Sequence, residues 1–140
     1  MLLNGRVELF IDGTFKVCPS QFYQLVTFMV KDHQTQYYAP ALYALMTGKS
    51  RSLYAQLFQM VQQATRHRLN PFSISCDHED ALVTEIQLAF PPPMTVLDEN
   101  NMPMLKEGSE LFACLFHFKQ ALQRNMIKSR IPMIQQYIAI

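Results

Sequence analysis

Leu9-Phe10-Ile11-Asp12-Gly13-Thr14-Phe15 decides how the rest of this chain is read. Val7, Leu9 and Ile11 alternate with Glu8, Phe10 and Asp12, which is the period of a strand with one buried face. The expected strand covers residues 6–12, so Asp12 stands at its carboxyl end. Ligands and metals bind at that end of open α/β sheets. A second reading competes with it. Asp-Gly is also a common two-residue hairpin turn, because glycine accepts positive φ and aspartate tolerates it. On the heptapeptide alone the turn is the simpler reading, and both stay open.

The chain has 140 residues, one domain's worth and enough to bury a core. Its hydrophobic fraction is 49%, and 16% of its residues are charged, against about 25% in typical soluble domains. Such a charge-poor surface suggests that something covers part of it, and self-association is one outcome. A net charge of +1 gives no global attraction for nucleic acid, so any such contact is local. The three cysteines, Cys18, Cys76 and Cys114, are too scattered for a disulfide framework. With no visible targeting signal, they favour an intracellular, reducing compartment. No apolar run approaches the roughly 18 residues of a membrane span, so no membrane role is expected.

Two further strands are expected at residues 22–31 and 36–46, joined by the short polar connection Asp32-His33-Gln34-Thr35. Pro40 cannot donate to a ladder and marks an edge or a bulge. Ser50 is a suitable N-cap for a helix running to Arg68. Leu53, Tyr54, Leu57, Phe58, Met60, Val61 and Ala64 form its apolar arc. His67 and Arg68 fall in its expected last turn, where positive charge suits the dipole. A short strand follows at residues 71–76, with Asp77 at its end. Ala81, Leu82, Ile86, Ala89 and Phe90 mark a second helix, stopped by Pro91-Pro92-Pro93. Residues 91–110 hold four of the eight prolines and Asp98-Glu99-Asn100-Asn101, and are read as an exposed proline-rich loop with little structure of its own. A fifth strand at 111–115 and a third helix at 116–130 complete the pattern. Leu115, Phe118, Leu122 and Met126 make the helix's apolar stripe, and Lys119, Arg124, Lys128 and Arg130 make it basic.

Three meandering antiparallel strands followed by alternating helices and strands is the order of a ribonuclease-H-like α/β fold, a mixed sheet with flanking helices. In that sheet the first and fourth strands lie side by side, with Asp12 and Asp77 at the same edge. Two adjacent carboxylates can hold Mg²⁺ or Mn²⁺, hard cations that take oxygen ligands. Ions about 3.5–4 Å apart activate an attacking oxygen and stabilise the leaving one in phosphodiester chemistry. The plainer role for Asp77 is a helix cap, with Glu79 and Asp80 complementing the dipole. Glu79 itself is read as a surface charge.

Four segments carry a family resemblance. They are Phe10 to Pro19 with Phe22-Tyr23-Gln24-Leu25, Tyr43 to Lys49, Ser75-Cys76-Asp77-His78-Glu79, and Cys114 to Leu122. In this order and spacing they resemble the transposase domain of Mutator-like elements, the MULE family. The resemblance implies a ribonuclease-H-like fold, a Mg²⁺- or Mn²⁺-dependent DNA transposase activity, element ends and target DNA as partners, and a nuclear location. It matches Asp12 and Asp77 to the first two acids of an Asp-Asp-Glu triad, as catalytic and metal-holding residues. Cys114 and His117 match the family's C-x-x-H motif. Those two fill half of a tetrahedral zinc site, and a buried core thiol is the simpler role for Cys114. Lys119, Arg124 and Lys128 are candidate phosphate contacts, or plainly the solvated face of a helix.

The family's third acid, a glutamate, lies downstream of the C-x-x-H motif, and the sequence stops at Ile140 before that point. Asp98, Glu99, Glu107 and Glu110 precede Cys114 and are out of order for the role. The expectation is therefore a domain truncated at its C-terminus, a transposase fragment inactive alone. The competing readings are a non-catalytic transposon-derived domain that binds DNA or protein, and a metal-binding α/β domain unrelated to DNA.

Overall fold

The computed structural model describes residues 6–32 and 34–114. Seven strands and two helices alternate there: β1 Val7–Thr14, β2 Gln24–Lys31, β3 Tyr38–Met46, α1 Arg51–Ala64, β4 Pro71–Cys76, α2 Asp80–Ala89, β5 Met94–Leu97, β6 Pro103–Lys106 and β7 Glu110–Ala113. Five strands form one mixed sheet in the order β3-β2-β1-β4-β7. β1, β2 and β3 meander antiparallel, while β4 lies parallel to β1, and β7 parallel to β4. The expected three antiparallel strands and adjacent first and fourth strands are both present.

The alternation in Val7-Glu8-Leu9-Phe10-Ile11 buries Val7, Leu9 and Ile11 on one face. Val26 and Phe28 of β2 and Ile74 and Cys76 of β4 join them. α1 and α2 cover that face with Tyr54, Leu57, Phe58, Val61, Leu82 and Ile86. Phe58 meets Phe28 and Phe90 edge-to-face, each with centroids 6.1 Å apart. On the opposite face Glu8 forms an ion pair with Lys31 at 3.4 Å and accepts a hydrogen bond from the Tyr38 hydroxyl at 2.8 Å.

Pro40 sits on the edge strand, and pairing skips from Phe28↔Leu42 to Met29↔Pro40, so edge and bulge coincide. Ser50 caps α1, its hydroxyl accepting from Leu53 N–H. Several boundaries differ from the sequence reading. β1 runs on to Thr14, with Gly13 paired to Val26, so Asp12-Gly13 is no hairpin turn. α1 stops at Ala64, and His67 and Arg68 lie outside it. The Thr65 hydroxyl bonds back to Val61 O at 2.9 Å, and Arg66 and His67 then take left-handed backbone angles, φ 52 and 56. Met60 belongs to the predicted apolar arc yet is 67% exposed, lining an open groove between β3 and α1.

The segment 91–110 is exposed as expected, but it carries structure. β5 and β6 pair as a hairpin from Met94↔Lys106 to Leu97↔Pro103. The Asp98 carboxylate accepts from Asn100 N–H at 2.8 Å and Met102 N–H at 2.9 Å, and Asn101 takes φ 62. The side chain thus supplies the turn's hydrogen bonds, which composition alone conceals. Among the described residues no helix is long and apolar enough to cross a membrane. The expected helix at 116–130, with His117, Lys119, Arg124 and Lys128, lies outside the described residues, as does His33.

Phe58 carries the ring contacts that join sheet to helices. Phe58→Ala is expected to lower stability by about 3–5 kcal/mol, and Met60→Ala by under about 0.5 kcal/mol. Urea unfolding of both variants checks this; equal losses would contradict the assigned core.

Candidate functional site

The parallel register Phe10↔Ser75, Ile11↔Cys76 runs to the end of β4. The next residues along the chain are Asp12, within β1, and Asp77, just past the end of β4. Apolar Ile11 and Cys76, both fully buried, anchor this end of the pairing from below. β3 also runs parallel to β1, two strands away. The same sheet edge therefore collects the carboxyl ends of β1, β3, β4 and β7 and the start of β2. Asp12 pairs across to Thr27 and accepts a hydrogen bond from the Thr14 hydroxyl at 3.4 Å.

Asp77 lines a small cleft with Ile11, Gly13, Phe15, Gln24, Tyr54 and Glu79. Its volume of about 10 Å³ suits one water or ion at most. The cleft is held by a buried polar chain. Gln24, 1% exposed, donates to the Tyr54 hydroxyl at 3.0 Å and to Gly48 O at 3.2 Å. The Tyr54 hydroxyl donates in turn to Glu79 Oε2 at 3.3 Å. Gly13 completes the contact: a Cβ there would lie 2.7 Å from Gln24 Oε1. The glycine after Asp12 thus leaves room for the Gln24 amide rather than making a turn. Burial, with the charges of Glu79 and Asp77 nearby, pushes Tyr54 up to about 12. Burial also raises Glu79, against the opposing charge of Lys49. Burial pushes Cys76 up to about 12, so its thiol stays protonated.

Three readings of individual residues change. Asp77 does not cap α2; the N-cap position belongs to Glu79, whose side chain makes no cap hydrogen bond. Glu79 is therefore not a free surface charge but the end of the Gln24–Tyr54 chain. Cys114 is half-buried rather than a core thiol, its N–H bonded to Cys76 O at 2.7 Å. Asp98 serves the hairpin turn, Glu107 pairs with Arg6 at 3.5 Å, and Glu110 opens β7, all away from Asp12. Among the described residues no three His, Cys, Asp or Glu side chains cluster so as to hold a metal ion.

The MULE transposase domain model matches residues 8–97, from within β1 to the end of β5. The chain belongs to the MULE transposase domain family. A search of curated proteins finds no match. The matched span contains both acids, the Gln24–Tyr54–Glu79 chain and the sheet pairing that brings them to one edge. Gln24 and Tyr54 were legible only as strand and helix residues. The available signal was Gln24 itself, an amide on the inward-facing register of an otherwise apolar strand.

The Tyr54 proton is held more tightly in the folded chain than at the ordinary value of 10, so the native state binds more protons between pH 10 and about 12. Stability must then fall as pH rises through that window. Tyr54→Phe is expected to make the fall shallower, while costing about 1–2 kcal/mol near neutral pH through the lost hydrogen bonds. Denaturant unfolding at a series of pH values checks it; parallel curves for the two chains would contradict the buried hydroxyl.

Proposed function

We propose that this domain is the ribonuclease-H-like part of a DNA transposase, with Asp12 and Asp77 as its divalent-metal carboxylates. The observation that supports the reading is the parallel β1–β4 pairing, whose last pair, Ile11↔Cys76, immediately precedes the two acids at the carboxyl edge of the sheet. Family membership supports the substrate class, DNA. The sheet order 3-2-1-4 with a fifth parallel strand supports the ribonuclease-H-like topology.

The donor set fits Mg²⁺ or Mn²⁺. Two carboxylates supply oxygen only, and Mg²⁺ is commonly held by one or two carboxylates with water and substrate phosphates completing its shell. Bound there, the metal supplies an activated hydroxyl or water and stabilises the leaving oxygen. The chain's own part is to orient. Ile11 and Cys76 fix the height of the two acids. Thr14 bonds Asp12, and the Gln24–Tyr54–Glu79 chain braces the loop that carries Asp77. Positioning of this kind matters because an error of about 1 Å can cost on the order of 100-fold in rate. The third acid of the family pattern belongs downstream of the C-x-x-H motif, outside the described residues.

The second reading is a transposon-derived domain that binds DNA without cutting it.

Calorimetric titration with Mn²⁺ tests the site. Asp12→Asn and Asp77→Asn should each weaken binding by about tenfold or more, at least the loss seen when a ligand's supporting partner is removed. Mn²⁺ binding equal in the wild type and both variants refutes the metal site. Metal-dependent nicking of supercoiled plasmid, lost in Asp77→Asn, separates the enzyme from the binding-only domain.

A further inference from the structure

Two aromatic side chains stand exposed at the carboxylate edge. Phe15 is 49% and Tyr23 45% exposed, one just after β1 and one just before β2. Their rings meet edge-to-face at 5.4 Å and 80°. Phe15 also lines the small cleft that contains Asp77 and Glu79. Phe15 therefore borders the cleft of Asp77, and it follows Asp12 by three residues along the chain.

The loop that carries them is built to hold its shape. The Cys18 thiol reaches Phe15 O at 3.1 Å and Phe22 O at 3.5 Å, tying the loop's two ends. Phe22 N–H bonds Pro19 O at 2.9 Å, and Tyr23 N–H bonds Met46 O at 2.8 Å on the edge strand. Rigid rings presented to solvent lose little entropy on binding. Lys16 sits exposed between Phe15 and Val17, and Lys49 is exposed on the neighbouring loop after β3. Aromatic rings interleaved with cations are the pattern of single-stranded nucleic-acid surfaces: the rings take bases and the ammonium groups take phosphates. The cleft itself is far too small for a base. A nucleobase must lie over it, on the rings, and inside a duplex no base face is free to do so.

We infer that Phe15 and Tyr23 form a stacking platform for an unpaired base of DNA, with Lys16 on the adjoining phosphate, beside Asp12 and Asp77. The inference rests on the DNA reading of the site and adds the state of the substrate: a frayed, nicked or single-stranded terminus rather than closed duplex. It does not depend on metal.

The test is anisotropy of a fluorescein-labelled strand of about 15 nucleotides, within the site size of such surfaces, and of the same sequence as blunt duplex. Both are titrated with the whole chain in EDTA at about 50 mM salt, low enough to keep phosphate contacts. The wild type should prefer the single strand. Phe15→Ala with Tyr23→Ala should weaken single-strand binding about tenfold, within the range for loss of one stacked base, and leave duplex binding within about twofold. Phe15→Trp should restore single-strand binding to a chain carrying Phe15→Ala alone as its comparison. A 2-aminopurine placed in the strand should be quenched by the wild type and not by the double variant, a signal that a structural role does not produce. Both residues are half-exposed, so thermal midpoints should hardly move. Equal losses on both DNAs, no loss on either, or no single-strand preference in the wild type would overturn the platform. Because EDTA removes metal, a failed Mn²⁺ titration leaves this result standing, and the reverse also holds.

Discussion

Everything at the candidate site depends on one pairing, the parallel ladder between β1 and β4. A shift of one residue in that register would turn Ile11 and Cys76 out of the core and carry the two aspartates past each other. Burial is what forbids the shift. Ile11, Ile74 and Cys76 are 0% exposed, and each apolar side chain of that size contributes about 1.5–3 kcal/mol when buried. The hydrophobic face thus decides where the carboxylates stand, though none of its members touches them chemically. Parallel pairing needs a crossover, and α1 supplies it, which is why the same helix both fills the core and delivers Tyr54 to the site.

The polar chain from Gln24 through Tyr54 to Glu79 works in the same direction from inside. A buried amide and hydroxyl are costly unless bonded, so each partner constrains the next. Gly13 fits against Gln24, Gln24 against Tyr54, and Tyr54 against the loop after β4. Strand, helix and loop are linked by groups that lose hydrogen bonds if any one of them moves. The glycine of Asp-Gly in β1 then has a packing explanation: it leaves room for the Gln24 amide.

Much of the architecture was legible in the residues. Alternation at Val7 to Ile11, the Ser50 cap, the proline at the edge strand and the short run Pro71–Cys76 each carry a local physical signal, and each element stands where that signal puts it. The parts that were not legible share a cause: they depend on side-chain hydrogen bonds. Asp98 builds the β5–β6 turn through its carboxylate. Thr65 ends α1 through its hydroxyl. Glu79 looked like a surface charge because its partner, Tyr54, is 25 residues away. The expected neighbourhood of Asp12 and Asp77 came from the order of elements; in the parallel ladder the last pair is Ile11↔Cys76, one residue before each acid. The exposed Phe15–Tyr23 pair left no periodic signal at all, since both residues lie in a connection.

The central claim is that Asp12 and Asp77 form one metal site. The most direct measurement is paramagnetic broadening of backbone amide signals as Mn²⁺ is added in small substoichiometric amounts. The account predicts that amides at Asp12, Gly13, Asp77 and His78 broaden first and together, because the effect falls steeply with distance from a single ion. Broadening that begins instead at Asp98, Glu99 or Glu107, or that affects Asp12 without Asp77, would contradict it.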